Sequence, residues 1–542
     1  MAYHDLLASA PESQCRRFGF LTMNEYGNIF LENRYTDWGN YYPYRTLRSL
    51  WQLSHYIQPE RLQIEFLNKW RNADKYPAND AFAPQRYDFD YVFAIAMMGE
   101  PLAWMEATGL PQEAIPAIKP FVEKYKTVRN DIHRGFIFPI GKEPSGRSWT
   151  GFQSITSNHS GYFLVFREDN DSPTGLIHTW LPANLRIRLE PVCGSGTQTT
   201  AETDENGNIC FTLPAKNSFA LYRYDSYELT QEFIFQEHAP TPSCHASTIV
   251  ELADGSLLAA WFGGTRESAD DVDIWCARKE VDGGWSRPTV IAHDARHACW
   301  NPVLFQPREG QLLLFYKTGP KVKEWKGHIV RSDDQGASWK SDKVVKEGMF
   351  GAIKNKPVML ADGRIIAPSS DERNGWSIHF EISDNRGKTW RKVGPVNAPD
   401  SAYVIQPSIL IHPDGSLQAV ARSQNGRLAQ TFSRDNGDTW SDVSFADFPQ
   451  NNSGLDAVTL HDGRFLLVCN PVGNTPGKRG GPRSPLSVLL SDDGVKWDKL
   501  LDLETQPGEY SYPAVIQDAD NTIHITYTWQ RKYIRHARLV LP

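Results

Sequence analysis

Residues 332–339 read Ser-Asp-Asp-Gln-Gly-Ala-Ser-Trp, and the same spacing returns as Ser383-x-Asn385-x-Gly387-x-Thr389-Trp390 and Ser433-x-Asp435-x-Gly437-x-Thr439-Trp440. A shortened copy, Ser491-Asp492-Asp493-Gly494-x-x-Trp497, follows. In each copy the short Asp, Asn and Ser side chains can bond the backbone of their own turn, Gly takes a conformation closed to most residues, and Trp plugs the turn. The acids of this motif are therefore expected to be structural, against the competing reading that they bind calcium or catalyse.

Outward from these motifs, a β-run, a turn and a second β-run recur six times: STIVELADGSLLAAW, PVLFQPREGQLLLFY, PVMLADGRIIAPS, PSILIHPDGSLQAVAR, DAVTLHDGRFLLVCN and PAVIQDADNTIHITYTW. The turns fall at Asp254-Gly255, Glu309-Gly310, Asp362-Gly363, Asp414-Gly415, Asp462-Gly463 and Asp520-Asn521. Gly or Asn there allows the positive φ that two-residue hairpin turns require, so each copy reads as an antiparallel hairpin. Hairpins repeating about every 50 residues predict a six-bladed β-propeller with about four short strands per blade.

The eight-residue motif is the Asp box, or BNR repeat, and residues 238–542 resemble the sialidase (neuraminidase) superfamily. Three full boxes and a degenerate fourth, in register with the hairpins, carry the resemblance.

In an antiparallel hairpin the start of the first strand and the end of the second lie at one edge, so one face of the propeller gathers the strand ends. Those ends supply His245, Trp261, Arg266, Asp270, Asp271, Trp300, Asn301, Lys317, Lys356, Glu372, Gln406, Arg422, Asp456, Asn470, Arg483, Tyr510, Tyr512, Trp529 and Arg531. A convergence of this many polar and aromatic residues reads as a site rather than a solvated rim.

The resemblance implies roles for some of them. Sialidases hold a substrate carboxylate with three Arg, use a Tyr nucleophile activated by a Glu, and employ an Asp as acid/base. Guanidinium groups bind carboxylates bidentately, and a neutral phenol attacks an anionic sugar with less repulsion than a carboxylate would. Arg422 fits the second Arg, Arg483 in GPRSPLSVLLSDDG the third, Tyr510 or Tyr512 in EYSYPAVIQ the nucleophile, and Asp270 or Asp271 the acid/base residue.

Two positions depart. His245 stands where an Arg-Ile-Pro motif would open the first hairpin, and Gln406 stands where the activating Glu would precede Arg422. Gln cannot accept a proton, and His is a weaker carboxylate clamp than Arg. Glu372 and Asp456 are pocket-edge carboxylates that could act as an acid and base or nucleophile pair. His245 with Tyr512 would equally suit β-elimination from a uronic acid, and the aromatic and Arg set would suit a non-catalytic sugar-binding module. The expected function is removal of a carboxylate-bearing terminal sugar by a sialidase-like exo-glycosidase. Arg266, Trp300, Asn301, Lys356, Asp456 and Arg531 would join His245, Arg422 and Arg483 in holding substrate, with no metal or organic cofactor.

The rest of the chain reads differently. Of 542 residues, the first 132 form an α/β helical region: PYRTLRSLWQLSHYI, PERLQIEFLNKWRN, DYVFAIAMMGEPLAWMEATG and PQEAIPAIKPFVEKYKTVRNDI have helical apolar spacing, with Pro near the starts. Residues 133–232 alternate as short β-runs suited to an antiparallel β-sandwich. The order of helices then sandwich, with LTMNEYGNIFLENRYTDWGNYYPYRTLR, resembles the last part of an α-galactosidase-like barrel and its C-terminal sandwich, so the first region is expected to be partial-barrel-like. Glu32, Arg34 and Asp37 are its polar cluster of interest. The chain is thus multidomain and mainly β.

Composition bounds the partners. Aromatics make up 12%, including 17 Trp and 21 Tyr, as suits stacking on sugar rings and filling propeller cores alike. A net charge of −7 gives no general attraction to nucleic acid or anionic membranes. No apolar run is long enough to span a bilayer, and the start shows no export signal. Seven Cys without C-x-x-C spacing read as reduced core residues, consistent with a cytoplasmic location.

Overall fold

The computed structural model describes residues 29–31, 42–65, 69, 73–102, 111–157, 160–236, 239–373, 375–399 and 401–541. Glu32, Arg34 and Asp37 lie outside them. Two compact units meet at Glu228/Leu229.

The N-terminal unit opens with β1 (Ile29–Leu31), helix α1 (Pro43–Leu53), β2 (Leu62–Glu65), helix α2 (Phe89–Ala94) and β3 (Glu100–Leu102). The strands pair in parallel, in the order β1-β2-β3. Helix α3 (Ala114–Arg134) follows. Two of the four expected helices are corrected. Among its described residues PERLQIEFLNKWRN gives a 3-10 turn, Pro59–Arg61, and then β2, because Leu62 and Ile64 alternate into the core with the period of a strand. The described residues of DYVFAIAMMGEPLAWMEATG include the end of α2 and all of β3.

The chain then runs antiparallel through β4 (Phe136–Gly141), β5 (Trp149–Ile155), β6 (Ser160–Arg167), β7 (Thr174–His178), β8 (Arg186–Gly194), β9 (Thr199–Glu202), β10 (Asn208–Thr212) and β11 (Ser218–Phe233). The β4-β5-β6 sheet, with β8 and β9 attached through β11, shares a core with the two-stranded β7-β10 sheet, through Trp149, Phe163, Ile177 and Phe211. A second cluster on this unit joins Leu47, Val92, Tyr125 and Ile137 to Phe152 and Leu164, so the helices and the sheet share one core.

In the second unit five four-stranded antiparallel sheets follow in sequence, over residues 243–292, 299–344, 358–393, 404–449 and 456–504. These are propeller blades. The expectation of six such blades is corrected to five. The sixth hairpin, Tyr510–Gln517 with Ile523–Trp529, and the last strand, Tyr533–Val540, form no four-stranded sheet of their own. They continue instead into β11, whose end enters this unit at Leu229, and Ile234 N–H donates to the Ile534 carbonyl at 3.0 Å.

The hairpin turns are corrected too. Leu252 N–H bonds the Ser256 carbonyl and Gly255 N–H bonds the Leu252 carbonyl, enclosing three loop residues rather than two. The same pair of bonds recurs at Leu360, His412, Leu460 and Asp518. Gly255 sits at φ 79°, and Asp254 accepts from Ser256 N–H at 3.0 Å, which fixes a turn ending in a left-handed residue.

The Asp boxes are local turns. Asp334 accepts from Ser338 N–H at 2.8 Å, and Ser332 Oγ accepts from Gly336 N–H at 2.8 Å; the boxes at 383 and 433 repeat both bonds. Each box is also tied to the preceding blade. Arg331 donates to the Gly387 carbonyl, Arg364 to that of Asn436 and Gln418 to that of Gly494. Of the six described cysteines, Cys244, Cys276, Cys299 and Cys469 are buried, but Cys210 is exposed, facing outward between Ile209 and Phe211. That corrects the expectation of an all-core set.

Candidate functional site

The inner strands do not run straight. In the hairpins opened by His245, Trp300, Ile405 and Ser511 the first strand holds one residue more than its partner, a β-bulge between Ser511 and Ala514 being the last of them. The extra residue has positive φ: Ala246 54°, Asn301 32°, Gln406 56° and Tyr512 53°. A bulge re-aims a side chain out of the pleat, and such backbone persists only where surrounding contacts hold it.

Tyr512 is the hub. Arg422 Nη1 donates to its hydroxyl oxygen at 2.6 Å and to Gln406 Oε1 at 3.3 Å, while Arg422 Nε donates to Asn452 Oδ1 at 3.1 Å. Gln406 Nε2 in turn donates to Glu372 Oε1 at 3.3 Å. Glu372, Gln406, Arg422 and Tyr512 thus form one hydrogen-bonded chain. Burial pushes the Glu372 carboxyl above its usual range, against the pull of Arg422.

Cations surround the same ring. Arg422, Arg483 and Lys354 lie 5.7, 5.6 and 5.8 Å from its centroid, and Arg422 also lies 5.5 Å from that of Trp376. Burial lowers Lys354 to about 8, and its ammonium donates to the Pro513 carbonyl. Glu509 bridges two guanidiniums, accepting from Arg483 at 2.5 Å and from Arg531 at 2.6 Å. Arg531 also meets Glu267 at 2.5 Å. The two Arg hold the Glu509 carboxyl below its usual range in spite of its burial.

His245 lies under Tyr512, ring centroids 4.1 Å apart. Its Nδ1 pairs with Thr528 Oγ1 at 2.9 Å, and its Nε2 is enclosed without a partner among the described residues. Burial, with four cations around it, keeps the imidazole neutral.

The structure therefore brings together Tyr512, Gln406, Glu372, Arg422, Arg483, Arg531 and His245. Others go elsewhere. Tyr510 is buried, 6.1 Å from the Trp529 ring. Trp300 donates to the Gly319 carbonyl and packs on Trp325 within a blade core, and Asn301 is buried beside it. Lys356 and Asp456 form an ion pair at 2.9 Å, and Asp456 also accepts from Ser408 Oγ and Val515 N–H, so it stitches inner strands instead of facing substrate. Asp271 accepts from Thr265 N–H and its hydroxyl, closing the loop that carries Glu267. Asp270 and Arg266 are exposed on that loop.

Sequence reasoning missed Lys354, Trp376, Asn452, Glu509 and Glu267. The bulges, by contrast, had a signal in the sequence: Asn301, Gln406 and Tyr512 each precede Pro at the same place in a hairpin.

Bulged inner strands, box turns and a cation-ringed tyrosine define an Asp-box propeller with one polar centre. The family model described as BNR repeat-like domain matches residues 255–525, half of the chain, and the chain belongs to that family. It is 25% identical over 228 residues to an anhydrosialidase from Macrobdella decora, covering 37% of this chain, and 28% identical over 241 residues to a sialidase from Micromonospora viridifaciens, covering 39%. The aligned part spans 29% and 36% of those relatives' lengths. Among solved structures, a protein of unknown function from Dyadobacter fermentans aligns with TM-score 0.49 at 17% identity, over 58% of this chain and 99% of that one. The intramolecular trans-sialidase of Ruminococcus gnavus aligns with TM-score 0.46 at 17% identity, over 57% and 96%.

Proposed function

We propose that the propeller is a sialidase-like exo-glycosidase acting on a terminal sugar that bears a carboxylate. The observation that carries this reading is the 2.6 Å contact of Arg422 with the Tyr512 hydroxyl, with Arg483 beside the same ring. A guanidinium placed on a phenolic oxygen stabilises the phenolate left once the phenol proton has passed to solvent. That phenolate attacks the anomeric carbon as the bond to the leaving oxygen breaks and Asp270 protonates the leaving oxygen, while Arg422 and Arg483 offer donors to the sugar carboxylate. Tyr512 is the nucleophile. Asp270, exposed on the loop after the first hairpin, is the acid/base residue, since Asp271 is occupied by Thr265. Arg531, tied to Arg483 through Glu509, supplies the cation that His245 does not.

A second reading, a sugar-binding propeller without turnover, is favoured by Gln406. It occupies the position of an activating carboxylate and cannot take a proton. A uronate lyase draws less support, because His245 Nε2 is enclosed and cannot meet a substrate proton. For the first 132 residues, the β1-α1-β2-α2-β3 order with parallel pairing supports a partial barrel.

The test is release of free sialic acid from a fluorogenic α-sialoside by the full chain and by Arg483→Ala. Turnover lost in the variant supports the hydrolase. Binding of the sialoside without release supports the second reading, and neither result would remove the carboxylate-bearing sugar from the proposal.

A further inference from the structure

The N-terminal unit holds a cleft of about 410 Å³ whose lining belongs to that unit alone. Its lining includes Trp180 with Phe138, ring centroids 5.0 Å apart. Trp180 is anchored twice, by its backbone N–H on Gln153 Oε1 at 2.8 Å and its indole N–H on the Pro139 carbonyl at 3.3 Å, yet the residue is 53% exposed. His55 and Tyr56 also line it, the latter 83% exposed, and the His55 ring rests on Trp51, itself fixed to the Ile140 carbonyl. Gln58 and Arg61 add polar groups to the lining.

An anchored indole face left in water beside further exposed aromatic rings is unfavourable unless something covers it. A peptide adding to the adjacent edge strand β4 finds its bonding groups already taken: Gln58 Oε1 accepts the Ile137 N–H at 3.2 Å, Pro139 has no N–H, and Trp180 covers the Pro139 carbonyl. Among the described residues no Asp or Glu lines the cleft, so they supply it with no carboxylate acid/base pair.

We propose that this cleft is a non-catalytic glycan-binding site, in which the apolar face of a pyranose ring stacks on Trp180, Tyr56 adds aromatic contact, and Gln58 and Arg61 bond its hydroxyl groups. A pyranose suits the place because it has one apolar face to stack and equatorial hydroxyls for polar groups at the rim. The site is independent of the propeller reading.

An array of neutral and carboxylate-bearing oligosaccharides, probed with the full chain, tests it. Arg422→Ala, which disables the propeller centre, retains capture of the glycans held by the cleft. Trp180→Ala lowers that capture at least tenfold while leaving propeller turnover unchanged. Tyr56→Ala, at a position too exposed to affect folding, also lowers it, and decides the matter if Trp180→Ala fails to fold. Absence of capture by Arg422→Ala, or capture indifferent to both aromatic substitutions, overturns the proposal.

Discussion

Arg422 Nη1 reaches the Tyr512 hydroxyl at 2.6 Å, joining the second strand of the fourth blade to the bulge in the sheet that closes the propeller. Removing only the hydroxyl by Tyr512→Phe keeps the ring packed, tilted, against His245. Turnover of an aryl α-sialoside is expected to fall by about a thousandfold or more with little change in melting temperature. A rate within a few-fold of the parent would take Tyr512 out of the chemistry.

Arg422→Lys keeps the charge but cannot serve Tyr512, Gln406 and Asn452 at once. A compact ammonium lacks the planar fork, so kcat/KM should drop by about a hundredfold, through KM as well as kcat. Steady-state kinetics on the parent and variant decide this, and an effect on kcat alone would deny Arg422 a role in holding substrate.

Gln406→Glu would set a second carboxylate against Glu372, where the present contact is 3.3 Å. Like charges at that range cannot both ionise freely, and Glu372 is already raised by burial. If the ionised pair is needed, the acid limb of kcat/KM moves to higher pH by about one unit. An unmoved limb means that neither carboxylate governs the reaction.

Acid stability is predicted from a relay remote from the centre. Asp518 meets His524 at 2.9 Å, His524 meets His536 at 3.0 Å, and His536 meets Glu232 at 3.0 Å. Burial is the main cause that lowers both imidazoles, His524 to about 4, while His536 and Lys279 hold Glu232 down at about 2. Neutral rings in the fold and protonatable rings in the unfolded chain give stability that is complete above about 6.5 and is lost as pH falls toward 4, at about 1.4 kcal/mol per pH unit for each proton. Melting curves over that range should flatten in His524→Asn, and an identical slope would clear the relay of blame.

Ser332→Ala leaves the Gly336 N–H without its 2.8 Å partner, and should cost about 1–2 kcal/mol in denaturant unfolding. Because that box also packs Gly336 against Leu258 of the first blade, the loss registers at a blade seam. A variant as stable as the parent would show that Asp334 alone holds the turn.

The boxes and hairpins were legible because their spacing is strictly local: Ser332, Asp334 and Gly336 meet within one turn. Blade number was not, since the strand beside Tyr533–Val540 comes from before the first hairpin and bears no repeat signature. At the centre, Tyr512, Arg422, Gln406 and Glu372 were found because strand ends converge. Lys356 and Asp456 were expected to hold substrate, because a charged pair set between inner strands has the same local sequence as one facing a pocket. The choice between Tyr510 and Tyr512 turned on a bulge that adds one residue, which only the X-Pro pairs could have announced.

The strand ending at Phe233 is made first and its partner, Tyr533–Val540, last, about 300 residues later, and contacts so distant in sequence form slowly. During synthesis every blade can form before the ring is able to latch. Until the final strand leaves the ribosome the nascent propeller is an open arc with a bare sheet edge at either end, the stage at which it is most exposed to wrong partners. Shortening the chain by its last strand would therefore not yield a smaller propeller, but would hold the protein at that stage.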